Sequence, residues 1–505
     1  MFEEKSSKKK GFAVLAAIGG AAVVVIVAAV VIFSSLLSGP KGDLTKAVTK
    51  SVSAFQTASQ SAGMPDIREL TKDRKTTQSL SLSIQDISGD LNYFYPQLSL
   101  LEGLGISISE GLNLPERRMD ASFAVTYNSA DVLSAWMTVD DETAAVGSPD
   151  FLGGSVYGFN TETLGRDLAA LGGVSEETAS ISFNIFDTLE TFSRTVEVDK
   201  SAFRDLSDAI EVEKSGKSAM DINGYSVNCT AYRVTVPQNA LLTCLSAVEE
   251  AYGAREADGA FLDLLASLGM SSADLAEFRD ALSGRETFDA LAGMVRAAGD
   301  LELDVYISDG YVMAVEWADT IDGESVSLSA YLGGGKSYAD DWSAELRRDN
   351  ERLTITSTGD HSAAGGTYTD ETSLTISAVR SGDRIKITSN TSWTPKASGE
   401  NFQWSIKTSG VTLTASGRLT AGKDSMDLTL DKLAVNALGT DLVTLRAGYA
   451  IRPYAAPSYS DKAPVMLADM DGNDVTELYQ DVILNTQEWV LGLGGKIPGL
   501  YELFW

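Results

Sequence analysis

Side chains that bind metals or act as nucleophiles are scarce in this chain of 505 residues, which holds one histidine and two cysteines. His361, Cys229 and Cys244 are too few to build a zinc or copper site. Two cysteines cannot form the disulfide framework of a small secreted domain, although one bridge or two buried thiols are both open. His361 stands in a segment rich in Gly and Ser, where we expect a solvated loop. We therefore predict no catalytic residue, no metal and no cofactor.

Positive charge is also scarce. The chain has 40 Lys and Arg against 70 Asp and Glu, a formal net charge of -30. Such an excess of acid argues against binding to nucleic acid or to anionic lipid surfaces. Hydrophobic residues make up 44% of the chain, which is typical of a folded protein rather than a disordered one. The length exceeds what one core needs, so we expect two or more subdomains.

Residues 11–37 carry no charge, no proline and no asparagine or glutamine. A helix of this length measures about 40 Å and exceeds the ~30 Å hydrocarbon core of a bilayer. Lysines precede the stretch, and such lysines tend to stay in the cytoplasm. We therefore predict a single-pass transmembrane helix in the cell membrane, with a cytoplasmic tail at 1–10 and an extracytoplasmic C-terminal domain. A cleaved signal peptide is the alternative, but its apolar region should be only about 7–15 residues.

The pattern after the apolar stretch is first helical and then strand-like. Residues 38–77 predict a juxtamembrane helix and linker, with Asp43 as its cap and an apolar stripe that includes Leu44 and Val48. From residue 78 onward apolar and polar residues alternate, as in Leu80 to Ile84, so we expect antiparallel strands with one buried face.

Three further segments complete the predicted domain plan. Residues 78–365 are expected to form an α+β ectodomain, interrupted by a helical insert at 238–299. Residues 366–465 alternate throughout and predict a β-rich segment, and 466–505 predict a C-terminal helix and tail. The predicted fold class is therefore α+β, with a single N-terminal transmembrane helix followed by long antiparallel β-sheets, an inserted helical block and a C-terminal helix.

Several short motifs imitate functional sites without the context those sites need. Residues 330–337, AYLGGGKS, approximate a phosphate-binding loop, yet two acids and a strand-like pattern follow where a helix is required, so we predict a glycine hairpin. Residues 469–474, DMDGND, offer oxygen ligands, but their spacing differs from an EF-hand and fits a helix cap better. Ser38 and Lys41 match S-x-x-K, which we interpret as a chance match.

The overall layout resembles that of uncharacterised membrane-anchored extracytoplasmic proteins of Gram-positive bacteria. The phrases DVYISDGYV at 304–312 and AYLGGG at 330–335 are similar to that group. The ectodomain also resembles the lipoprotein-carrier type, in which a curved antiparallel sheet wraps helices and leaves an apolar groove. The resemblance is one of architecture and implies no functional residue.

These patterns predict a membrane-tethered, non-enzymatic binding module for a lipid or another apolar ligand. The expected partners are the bilayer, through residues 11–37, and an apolar ligand or an envelope protein, but no nucleic acid. The alternative is a structural or protein-interaction component of the cell envelope with a fully packed core and no ligand cavity. An enzyme is the third possibility, and it lacks any clustered nucleophile, base or metal ligand.

Overall fold

The structure of the chain is a computed structural model. It describes residues 39–61, 67–163, 166–167, 185–186, 189–190, 200–253, 270–276, 285–321, 323–334, 337–364, 367–380, 383–394, 399–437, 439–458 and 463–497.

One large sheet dominates the described part of the chain, and nearly all of its neighbouring strands are antiparallel. Its strands are β1 (Lys75–Ile87), β2 (Leu104–Asn113), β3 (Arg118–Tyr127), β4 (Ala130–Val139), β5 (Thr143–Gly147), β6 (Val156–Asn160), β7 (Glu211–Ile222), β8 (Tyr225–Val236), β9 (Leu301–Ser308), β10 (Tyr311–Ile321), β11 (Glu324–Leu332), β12 (Trp342–Arg348), β13 (Glu351–Ala364), β14 (Thr367–Arg380), β15 (Asp383–Trp393), β16 (Phe402–Thr408), β17 (Val411–Ala421), β18 (Met426–Ala437), β19 (Thr440–Pro453) and β20 (Val465–Met466).

The pairing makes this sheet one continuous meander. Strands β7 to β19 pair in chain order, β19 pairs with β1, and β1 to β6 again follow chain order. The short β20 adds to β6 in parallel. Strand β1 therefore joins two halves that are far apart in sequence, with Leu82 opposite Ala447 on one side and Ile106 on the other.

Helices accompany this sheet as well, and seven of those within the described ranges are numbered here. They are α1 (Gly39–Ser61), α2 (Ile67–Thr71), α3 (Gly89–Phe94), α4 (Lys200–Ala209), α5 (Gln238–Gly253), α6 (Arg285–Ala298) and α7 (Gly472–Lys496). Helices α1, α4, α5 and α6 contribute to a single hydrophobic core together with β8 to β10. They thus form a second layer over one end of the sheet.

The fold class predicted from the sequence is wrong on two points. No helix in the described ranges is both long enough and apolar enough to cross a membrane. The predicted span, residues 11–37, lies outside those ranges, and we withdraw the single-pass assignment together with its cytoplasmic and extracytoplasmic sides. Length, hydropathy and the preceding lysines supported that assignment; they describe the composition of a segment, not the surface that it meets. The strands also form one sheet rather than several, because β1 pairs with β19.

The helix at the start of the described chain packs on its own domain and begins before Asp43, the predicted cap. Leu44 and Val48 are buried in the helical core. Asp43 was expected to cap this helix, yet α1 starts at Gly39 and Asp43 accepts a hydrogen bond of 3.4 Å from the Tyr232 hydroxyl. His361 lies in β13, opposite Asp370 of β14, and not in a loop.

The C-terminal helix begins with the predicted cap. The Asp471 side chain accepts hydrogen bonds from the backbone N–H groups of Asn473 and Asp474, and the Asp474 side chain accepts one from the Asp471 N–H. This reciprocal pair satisfies backbone donors that the first turn of a helix leaves unpaired. The helix then continues through Gly492 and ends at Lys496.

Candidate ligand-binding face of the sheet

Alternation along the strands places apolar side chains on one face of the sheet, since successive residues of a strand point to opposite faces. The register shows that these side chains lie side by side across many strands. Ile355, Ile376 and Ile387 are aligned on β13 to β15. Ile406, Leu413, Val435 and Val443 form a comparable row on β16 to β19. We name this side of the sheet the apolar face.

Helices cover the apolar face at the β8 to β10 end. Leu44 of α1, Leu241 of α5 and Leu291 of α6 are at most 6% exposed there. They share their core with Val234 and Val305 of the sheet. Burial of this kind is the main favourable term in folding, so this end is an ordinary packed core.

Two smaller clusters cover other parts of the same face. Near β2 to β6, Phe186 packs with Leu114 and Val139. Near the strand ends of β15 to β19, Trp393 is 1% exposed and packs in a cluster that Leu70 of α2 joins. The apolar face is therefore closed in three separate places.

Between these clusters lie two rows of apolar side chains, which we call the apolar rows. Leu80, Ile108 and Phe123 form the first row across β1 to β3, and Leu82, Ile106 and Val125 form the second. Five of these six side chains are more than a third exposed: Leu80 at 49%, Ile108 at 47%, Ile106 at 42%, Leu82 at 38% and Phe123 at 37%. None of the buried clusters found in the described ranges contains any of the six. The sequence predicted correctly that these side chains share a face, but that face was expected to be buried.

The exposure of the apolar rows has an energetic consequence. Full burial of a Leu, Ile or Phe side chain is worth about 1.5–3 kcal/mol. Five side chains that are 37–49% exposed would therefore gain roughly 3–6 kcal/mol in total from a covering ligand. The entropic cost of association reduces the net affinity below that gross figure.

Across β13 to β18 the opposite face of the sheet is polar and carries a cavity of about 660 Å³, which we call the polar groove. One row of its lining residues is in register across five strands, and consists of Thr358, Ser373, Asn390, Ser405 and Thr414. A second row on the same face consists of Ser392, Gln403, Ser416 and Lys432. Sequence reasoning did not find this groove, although the Ser and Thr alternation in 366–465 was its available signal.

The two cysteines are free and buried, which resolves the alternatives that the sequence left open. Cys244 belongs to the core beneath the helices, with Val234 and Val236 of β8. Cys229 belongs to a cluster with Ile222 and Met313, on the other face of β8, because odd and even positions of a strand point apart. Burial raises the pKa of the Cys244 thiol to about 11 and raises that of Cys229 as well. Both thiols are therefore poor nucleophiles at neutral pH.

The glycine motif joins two antiparallel strands, as predicted. Leu332 at the end of β11 pairs with Trp342 at the start of β12. Gly333 has a φ of 83°, a backbone conformation that glycine adopts without strain. Asp340 accepts hydrogen bonds from the Ser337 N–H and hydroxyl, so it closes the turn. The described residues 337–341 of this loop lead into strand β12, whereas a phosphate-binding loop requires a helix there.

The remaining motif residues serve local structure. The Lys41 ammonium donates hydrogen bonds of 3.0 and 3.3 Å to the carbonyl oxygens of Ile210 and Asp208, at the end of α4. Burial is the larger influence on Lys41 and lowers its pKa, while the nearby Asp208 acts in the opposite direction. Ser38, its partner in the S-x-x-K match, lies outside the described ranges.

Potential metal ligands do not gather in the described ranges, where no group of three or more His, Cys, Asp and Glu side chains is placed to hold an ion. Comparison of the chain with protein-family models and with curated proteins gives no match.

Proposed function

We propose that the chain is a non-enzymatic binding module, and that the apolar rows bind an elongated apolar ligand such as an acyl chain. The observation that carries the proposal is the exposure of neighbouring Leu, Ile and Phe side chains on β1 to β3. The proposal keeps the apolar ligand expected from the sequence and does not include a membrane tether.

The shape of the surface supports a long, narrow ligand. The first row continues through Ala135 into β4 and through Tyr449 into β18 at Leu428, and the last two are partly buried against the Trp393 cluster. Six adjacent strands at a spacing of about 4.8 Å span roughly 24 Å between the outermost strands. The two rows are two residues apart along each strand, so the surface is only about 7 Å wide between them. An extended chain of methylene groups has these proportions.

The chemistry of the surface supports the same ligand class. Six side chains on the three central strands are hydrocarbon only, and the rows offer no charge of their own. An acyl chain needs dispersion contact and removal from water, and it needs no hydrogen-bond partner along its length. A polar headgroup would have to lie beyond the rows.

Titration of the delipidated chain with a pyrene-labelled long-chain fatty acid tests the proposal. We expect saturable binding, and weaker binding when Leu82 is replaced by Ser. Sedimentation of the same sample tests the alternative of a protein-interaction component. Self-association that depends on the apolar rows, with no saturable fatty-acid binding, would replace the ligand-binding proposal with that alternative.

A further inference from the structure

We propose that the polar groove is a second binding site, for a neutral ligand rich in hydroxyl groups, namely a short oligosaccharide. The groove lies on the face of the sheet that is opposite to the apolar rows, because its side chains have the other parity along β13 to β18. The site is therefore independent of the apolar ligand proposed above.

The size of the groove fits such a ligand. Its volume of about 660 Å³ lies within the range of about 300–1,000 Å³ in which small ligands bind. Its side chains repeat at about 4.8 Å from strand to strand and at about 7 Å along each strand. A chain of sugar rings also presents hydrogen-bonding groups at short, regular intervals, so several rings could contact successive strands.

The chemistry of the lining selects against charged ligands. Ser and Thr hydroxyls and the amides of Asn390 and Gln403 both donate and accept hydrogen bonds, as sugar hydroxyls do. Lys432 is the cation of the lining, and its ammonium lies 2.6 Å from the carboxylate of Asp441. Because this lysine is already paired, a phosphate or sulfate group would find little uncompensated positive charge. The net charge of -30 would repel a polyanion further.

The floor of the polar groove allows a ligand to approach the backbone of the strands closely. Gly359, Thr391 and Ala415 lie between the two polar rows, and their side chains alternate to the apolar face. Trp404 belongs to the same set, and its indole N–H donates to the Ser389 hydroxyl on that side. The backbone of these residues therefore forms the floor, with polar side chains on both sides of it.

Calorimetric titration of the full chain with neutral oligosaccharides of glucose and of N-acetylglucosamine tests the inference. We expect saturable binding of at least one of them, and weaker binding of its sulfated counterpart. The double variant Asn390→Ala with Gln403→Ala should bind the saccharide about tenfold more weakly. It removes two hydrogen-bonding amides, and the loss of each should raise the dissociation constant about threefold.

Two control variants keep the test specific. Gln85→Ala removes an exposed amide of β1 outside the groove, where it bonds to Ser83, and it should leave saccharide affinity unchanged. A variant of the apolar rows, Leu82→Ser, should also leave it unchanged. Absence of binding by every neutral oligosaccharide at millimolar concentration overturns the inference. Equal affinity of the folded double variant and the parent chain overturns it as well.

Discussion

Replacing one cross-strand pair of the apolar rows by serine should weaken fatty-acid binding strongly. Leu80 and Ile108 lie opposite each other on β1 and β2, and they are 49% and 47% exposed. The double variant Leu80→Ser with Ile108→Ser keeps the strands and their register but replaces hydrocarbon with hydroxyl. The exposed part of each side chain is the surface that a ligand would cover.

The magnitude follows from that exposed fraction. About half of the 1.5–3 kcal/mol for burying such a side chain is still available, so the pair should lose about 1.5–3 kcal/mol of binding free energy. That loss corresponds to roughly 10- to 150-fold weaker affinity. The buried half of each side chain contributes a similar amount to the free energy of unfolding, which should therefore fall as well.

Fluorescence titration with the pyrene-labelled fatty acid, well below the unfolding temperature of each variant, separates the two effects. Leu484→Ser is the matched control, because Leu484 is 56% exposed and lies on α7 rather than on the sheet. The reasoning is refuted if the double variant binds as tightly as the parent chain. A loss of the same size in the Leu484 variant would also refute it.

Three further predictions concern stability and reactivity. Gly111→Ala should lower the free energy of unfolding by about 1–3 kcal/mol, since a Cβ at this position would lie 3.0 Å from the ring of Tyr454. Chemical denaturation measures this free energy, and an unchanged denaturation midpoint would contradict the prediction. Cys229 and Cys244 should resist alkylation by iodoacetamide at neutral pH in the native chain and react fully in denaturant. Mass spectrometry measures the extent of alkylation, and rapid alkylation of the native chain would contradict the burial of the two thiols. Asp471→Ala should cost about 1 kcal/mol and accelerate hydrogen exchange in the first turn of α7, whereas unchanged exchange there would argue against the cap.

Local patterns predicted much of the sheet. The alternation from Leu80 to Ile84 correctly indicated β1, and the Asp-Gly pair at 309–310 is the local signal for the turn between β9 and β10. At that turn Asp309 and Gly310 both have positive φ, as tight hairpins between twisted strands require. Such features depend on neighbouring residues, so they can be inferred from sequence alone.

Strand β7 escaped the sequence analysis because it lies at the edge of the sheet. Glu211, Glu213, Lys214 and Lys217 are all exposed, so the strand shows little apolar alternation. Charged edge strands resist pairing with other chains, which gives this pattern a physical reason. The Asn-Gly pair at 223–224, which forms the turn into β8 with positive φ at both residues, was the signal that could have indicated it.

The candidate site could not be predicted because it depends on contacts that are distant in sequence. The pairing of Leu80 with Tyr449 brings β1 beside β19, across more than 300 residues. Alternation identifies which side chains share a face, but it does not show whether another layer covers that face. Only the positions of the helices and clusters showed that Leu80 and Ile108 remain exposed.

Photo-crosslinking with a diazirine-labelled fatty acid, followed by peptide mapping, tests most directly whether the apolar rows bind an acyl chain. Labels should concentrate on the peptides that contain Leu80 and Leu82, Ile106 and Ile108, and Phe123, and excess unlabelled fatty acid should suppress them. Labels that fall mainly on α7 or on the polar groove would contradict the account, and so would labelling that unlabelled fatty acid does not reduce.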